Sequence, residues 1–456
     1  MSELVGWRLR SLSRGVALPW RFSVQRLRGQ GAPATAGETP ALQRRAPISA
    51  GTFVVTSSAR GGRYNRPVAS VGVNPRVSTR PTWAEVSLGN LSHNFREVQQ
   101  QVGASMVCGV VKADAYGHGA VECALALEKA GARWLGVTST DEALPLREVG
   151  ICARILLMTG FWRGEEHEVV RQNLTATVWE AWHLELLDRA AIELNVPVVA
   201  VHLKIDSGMG RLGASLDQLL PLLALLKRSM RLKLEGLCTH FASSEVVDAP
   251  EMERQIERFA VAEKLVRDSG FAPEIVHLSN SAAIVTRRDS WRNMVRPGLA
   301  LYGYTLPLMK AGKLADIESG IDLRPVLSWK TRILSLRDVG ANQALGYNGT
   351  YVTQSPSRIA VLPLGYADGL NRRLSNRGRV IVRDRYAAIV GRISMDLTLV
   401  DVTGIPEIEV GDEVILIGSS STCSVDALEQ ARLAETSPYE ILCGLSKRVP
   451  RKYVGR

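Results

Sequence analysis

No stretch of this chain stays apolar over the about 18 residues that a membrane-crossing helix needs. The richest run, Leu216 to Leu226, is interrupted by Asp217, Gln218 and Pro221, so no membrane partner is expected. The six cysteines (Cys108, Cys123, Cys152, Cys238, Cys423 and Cys443) form no CxxC pair and share no metal-ligand spacing with histidine. They read as reduced, mostly buried thiols in a cytoplasmic protein without a metal site. The body of the chain also lacks a charge excess. The first 80 residues hold 13 Arg, no Lys and only Glu3 and Glu38, and so carry the whole net charge of +11. With no basic surplus after them, nucleic acid is not an expected partner. That front end has the composition of an organellar transit peptide, but it reads better as a disordered extension, or as an upstream start in a high-GC gene, which its arginine without lysine suggests. Residues 1–80 are therefore set apart from fold reasoning.

From Trp83 onward, short β-branched runs alternate with helical stretches, the rhythm of parallel βα units. Candidate strands are Met106–Val111, Trp134–Ser139, Arg154–Met158, Ala176–Trp179, Val198–Ile205, Leu234–Thr239, Glu274–Leu278 and Met294–Leu301. Eight such units fit a closed (β/α)8 TIM barrel over residues 81–320 better than an open doubly wound sheet. After about Pro325 the strands follow one another without long helices, as in a separate, mostly β domain over 321–456. The segment near 83–88 is a candidate to pack on it. The expected fold is α/β, an N-terminal barrel followed by a C-terminal β domain.

Barrel chemistry projects from the C-terminal ends of the strands. Val110-Val111-Lys112-Ala113-Asp114-Ala115-Tyr116-Gly117-His118-Gly119 puts a lysine at such an end, where a nucleophilic amine condenses with an aldehyde and Tyr116 reaches for a phosphate. From position alone, an ordinary surface lysine is the better explanation. The run from Lys204 through Asp206-Ser207-Gly208-Met209-Gly210-Arg211-Leu212-Gly213 wraps glycines around Arg211, whose fork suits a phenolate or carboxylate; a turn with a solvated arginine is the plain alternative. His240 in Cys238-Thr239-His240-Phe241-Ala242 stands at another strand end. Ser281 in Ser279-Asn280-Ser281-Ala282-Ala283 opens a helix, either as an anion site or as a simple cap. Arg296 and Gly298 in Val295-Arg296-Pro297-Gly298-Leu299 close the series. Singly each is weak. Together they set Lys, Arg, His and Ser at one face of one barrel.

These segments resemble those of the alanine racemase family, and the resemblance runs from about Thr82 to Tyr453. GYNGTY, LGYADGLNRR, GRISMD and SPYEILC follow in family order. It implies a pyridoxal 5'-phosphate enzyme of the barrel-plus-β-domain type that racemises alanine and contributes D-alanine to peptidoglycan. Lys112 would carry the cofactor as a Schiff base, with Tyr116, Ser281, the backbone at Gly298 and Leu299, and Tyr439 around its phosphate and Asn280 also at the cofactor. Arg296 would face the pyridine nitrogen, with Arg211 and His240 also at the cofactor. A guanidinium there accepts no proton and disfavours the long-lived carbanions a decarboxylase needs. Lys112 and Tyr347 would be the two bases, one on each face of Cα, with Arg211 and Met395 binding the substrate carboxylate. Tyr347 and Met395 would come from the partner of a homodimer. Tyr302, Tyr366, Arg372, Arg392 and Asp396 match an access corridor, and Lys204 matches a lysine that is carbamylated in some members. Ser394 stands where the family more often has cysteine. A non-catalytic cofactor carrier on the same barrel would lack the β domain and with it Tyr347.

Overall fold

The computed structural model describes residues 80–315 and 319–455. The expected extension over 1–80 lies outside them apart from Arg80, whose guanidinium donates to the buried carboxylate of Asp368 at 2.8 Å.

The first element of the described residues is β1 (Thr82–Ser87), and Ser87 then caps the helix Leu88–Val102 by accepting from the Asn90 N–H. Eight parallel strands follow: β2 (Met106–Val110), β3 (Trp134–Val137), β4 (Arg154–Leu157), β5 (Leu174–Val178), β6 (Val199–Lys204), β7 (Leu232–Cys238), β8 (Ile275–His277) and β9 (Met294–Val295). Their spatial order is 8-7-6-5-4-3-2-9, and the Arg296 N–H donating to the Ser279 carbonyl at 3.0 Å draws the two outer strands together. Helices intervene at each step. In Leu216–Arg228, Leu219, Leu222, Leu223 and Leu226 form the buried stripe, the spacing of a helix with one face on a core. Ser215 and Gln218 close its first turn reciprocally. The strands are buried on both faces because helices cover the outside and side chains fill the inside.

The strand expected over Met294–Leu301 ends at Val295. Pro297 has no N–H to continue a ladder, and Leu299–Tyr302 forms a 3-10 turn instead. In the second region, Ser335–Val339, Ser357–Leu362, Thr398–Asp401, Arg385–Val390, Arg379–Val382, Glu413–Ser419 and Leu327–Arg332 lie side by side in that order. Beyond Leu327–Arg332 the sheet takes in β1, which pairs antiparallel with it and parallel with Arg451–Val454. Three of the six thiols are buried, whereas Cys152 and Cys443 are exposed, fewer buried than expected.

The C-terminal segment returns to the barrel mouth. The helix Pro438–Cys443 packs on the loop after β2 so closely that a Cβ on Gly117 would overlap the Leu442 carbonyl, and one on Gly119 the Tyr453 hydroxyl. Arg451 donates to the Gly117 carbonyl at 3.0 Å. This contact explains both glycines of the Lys112 loop.

Candidate active site

Lys112 begins immediately beyond β2. The next four residues, Ala113, Asp114, Ala115 and Tyr116, all lie at φ between 52° and 54°, a left-handed turn costing about 1–2 kcal/mol per non-glycine residue. Local hydrogen bonds hold it. Glu142 accepts from the Ala113 N–H at 2.7 Å with one oxygen and from Thr138 with the other, while Asp114 accepts from the Ala120 N–H at 2.8 Å. Strain of this kind gathers where a side chain must be aimed. Here it turns Tyr116 inward against Tyr302 and Tyr439, with ring centroids 4.8 and 5.8 Å away. Neither the left-handed turn nor the clamp of Glu142 and Thr138 has a signal in the sequence.

Lys112 and Tyr116 face a cavity of about 220 Å³ at the mouth. Arg211, His240, Asn280 and Ser281 share its wall, as do Arg296, Gly298 and Tyr439. Arg211 comes from a loop folded around Asp206, whose carboxylate accepts from the Gly208, Gly210 and Arg211 N–H groups at 3.0–3.1 Å. The glycines at 208, 210 and 213 have the GxGxxG spacing of a dinucleotide phosphate turn. They do not open a helix, which begins only at Leu216, and Gly213 folds back onto Asp206. Ser281 Oγ accepts from the Gly298 N–H at 2.9 Å and the Ala300 N–H at 3.2 Å. Leu299, between them, starts the 3-10 turn and is buried. Asn280 Oδ1 accepts from the Ala283 N–H and the Ser244 hydroxyl, both at 3.0 Å, so its carboxamide oxygen serves the helix cap.

The charges are one-sided. Lys112, Lys204, Arg211 and Arg296 all line the cavity, and no Asp or Glu does among the described residues. Burial first, and then the Arg211 guanidinium, hold the Lys112 amine below its ordinary range. Burial and the neighbouring cations do the same to Lys204, whose Nζ donates to the Met158 carbonyl at 3.2 Å. Burial and Arg296 push His240 down to about 3, so its imidazole is neutral. Such a site demands an anion.

Tyr347 and Met395 lie elsewhere. They line a separate depression of the β domain with Tyr366, Arg372, Ile393, Ser394 and Asp396, and both are exposed, at 67% and 52%. Ser394 Oγ closes its turn by accepting from the Leu397 N–H and donating to the Leu397 carbonyl, which accounts for a small hydroxyl there. Tyr302 is not on a corridor. It is fully buried, donating to the Val110 carbonyl at 2.9 Å.

A nearly closed barrel with a cationic, anion-seeking mouth around a strand-end lysine, joined to a β domain carrying exposed tyrosines, defines a barrel enzyme of the amine-plus-phosphate type. The family of alanine racemase N-terminal domains matches residues 86–306, and that of the C-terminal domains residues 326–453. An alanine racemase of Halothermothrix orenii is 41% identical over 84% of this chain and 98% of its own length. Among solved structures, alanine racemase of Streptomyces coelicolor A3(2) superposes with a TM-score of 0.77 at 34% identity, covering 83% of this chain and 99% of its own. That of Bartonella henselae, solved with covalently bound pyridoxal phosphate, gives 0.72 at 29% identity, over 82% and 99% of the two chains. The chain belongs to the alanine racemase family.

Proposed function

We propose that this chain interconverts L-alanine and D-alanine with pyridoxal 5'-phosphate held at Lys112, as a cytoplasmic homodimer whose D-alanine enters peptidoglycan. The observation that carries the reading is the cluster of four cations without a carboxylate, because a phosphate monoester and an amino-acid carboxylate are the charges it lacks. Gly298 supports it further. A Cβ there would overlap the Tyr116 hydroxyl, so backbone and phenol converge beside Ser281 as in a phosphate cradle. When bound, the cofactor supplies an electron-withdrawing ring that weakens the Cα–H bond of an attached amino acid.

The chain's own groups do the rest. Lys112 Nζ, kept from holding its proton tightly by burial and Arg211, takes the α-proton of D-alanine. Tyr347 Oη takes that of L-alanine from the opposite face. A phenol has a reference pKa of about 10, so it acts near neutrality only beside cations or donors, and His240 with Arg296 is the neighbour we assign. Arg211 and the backbone of Met395 hold the substrate carboxylate. Arg296 can only donate, which keeps its partner from gaining a proton there. Within one chain Lys112 and Tyr347 line different cavities, so a complete site requires the Tyr347 and Met395 of a second copy. Tyr366, Arg372 and Asp396 beside Tyr347 restrict the side chain to about a methyl group.

Tyr347→Phe tests the assignment. Solvent deuterium should still enter the α-position of D-alanine, with retention, while exchange from L-alanine and net racemisation collapse. Undiminished racemisation of both enantiomers by this variant is incompatible with the two-base assignment.

A further inference from the structure

Branched aliphatic side chains ordinarily fill a barrel of this kind. Here a file of polar groups runs along the interior instead. At the mouth, Arg296 Nη1 donates to His277 Nδ1 at 2.6 Å. His277 Nε2 and His202 Nδ1 are 2.8 Å apart, and His202 Nε2 faces Glu235 Oε2 at 3.4 Å. Arg154, the first residue of β4 and so at the end away from the mouth, grips both Glu235 oxygens at 2.6 and 2.5 Å and lies 4.2 Å over the Trp134 ring. His202, Glu235, His277 and Arg296 are all buried. Space is reserved for the file, since a Cβ on Gly236 would overlap the His202 ring.

Two chemical facts fix the protons. A guanidinium only donates, so His277 Nδ1 is bare and the single proton of that ring sits on Nε2. A carboxylate only accepts, so His202 carries its proton on Nε2 and offers Nδ1 to His277. Reasoning from the mouth and from the far end gives the same direction at the shared His277–His202 bond. Burial keeps both imidazoles below the ordinary histidine range, hence neutral. Burial pushes the Glu235 carboxyl up, but the hydrogen bonds from His202 and Arg154 outweigh it and hold it at about 2, hence charged.

We propose that Glu235, clamped by Arg154, is a positioning residue for Arg296, fixing the tautomers of His202 and His277 so that the guanidinium always meets an acceptor. The carbonyls of Thr239, His277 and Leu278 already receive Arg296 at 2.8–3.0 Å. They set where the guanidinium lies, and the histidine file decides whether the second Nη1 donor is satisfied. If Glu235 is lost the file can reverse, setting His277 Nδ1–H against the Arg296 N–H. The functional part rests on Arg296 facing the cofactor ring; the tautomer part does not.

Neutron diffraction from deuterium-exchanged crystals of the full chain with pyridoxal phosphate tests the tautomers directly. Deuterons are expected on Nε2 of both His202 and His277 and on neither Nδ1. A deuteron on either Nδ1 would overturn the proposal, whether or not the protein racemises alanine. For the functional part, Glu235→Leu should lower kcat about tenfold, the scale of losing an outer partner of a site group, leave KM for alanine within about twofold, and shift the cofactor absorption band. Glu235→Gln keeps an acceptor oxygen for His202 and should recover most of kcat. Equal losses in the two variants with an unmoved band, or no loss in Glu235→Leu, would sink the functional part.

Discussion

Gly298 and Tyr116 occupy the same small volume: the place where a side chain on Gly298 would begin is filled by the Tyr116 hydroxyl. The backbone can therefore approach the barrel mouth only as glycine, and Tyr116 can turn inward only through the left-handed turn that precedes it.

Gly298→Ala should push Tyr116 off its position while leaving the barrel folded. Overpacking of this kind costs about 1–3 kcal/mol, so retention of pyridoxal phosphate should weaken by about fivefold or more. Equilibrium dialysis against the free cofactor reads the change, and unchanged affinity would dissociate Gly298 and Tyr116 from the phosphate.

The Lys112 amine attacks a carbonyl only when it has lost its proton. Burial and Arg211 lower its pKa, while Glu142 raises it. Arg211→Gln should therefore move the pH limb of cofactor attachment upward, and Glu142→Gln should move it downward. Stopped-flow absorbance of attachment across pH measures both, and a shift of the same sign in the two variants would contradict this electrostatic account.

Acid should loosen the fold before it protonates most surface carboxylates. Burial holds His118 and His183 down at about 4 and His240 at about 3, against an ordinary 6.5. Between those values the unfolded chain binds protons that the folded chain refuses. Stability from these neutral rings is full above about pH 6.5 and declines as pH falls toward about 4. The thermal midpoint should drop by several degrees across that window. His183→Phe should flatten the decline, because the His183 ring packs among Phe161, Trp179 and Trp182 and its Nε2 has no partner among the described residues. An equally steep decline in the variant would assign it to other groups.

Much of the mouth was legible because barrel chemistry sits at strand ends, where Lys112 and Arg296 follow directly on apolar residues and His240 follows Leu237-Cys238 after one threonine. The pairing of β1 was harder to read. Thr82 meets Thr331 across the sheet, and alternation within six residues says nothing about a partner so distant in the chain. Glu235 and His202 were invisible for a related reason, since a single polar residue inside a strand reads as an isolated exception until the barrel closes and aligns it with others. Tyr302 misled by its place in a motif; its burial depends on Tyr116, which only the left-handed turn brings above it.

The central claim is that one working site is assembled from two copies, Lys112 from one and Tyr347 from the other. Mixing Lys112→Ala with Tyr347→Phe subunits, each nearly inactive alone, tests it most directly. Random pairing makes half the dimers mixed, each with one intact site, so activity should return to about a quarter of the wild-type value. Restoration to that level is the expected result. No recovery on mixing, with exchange of subunits verified by mass, would contradict the shared site.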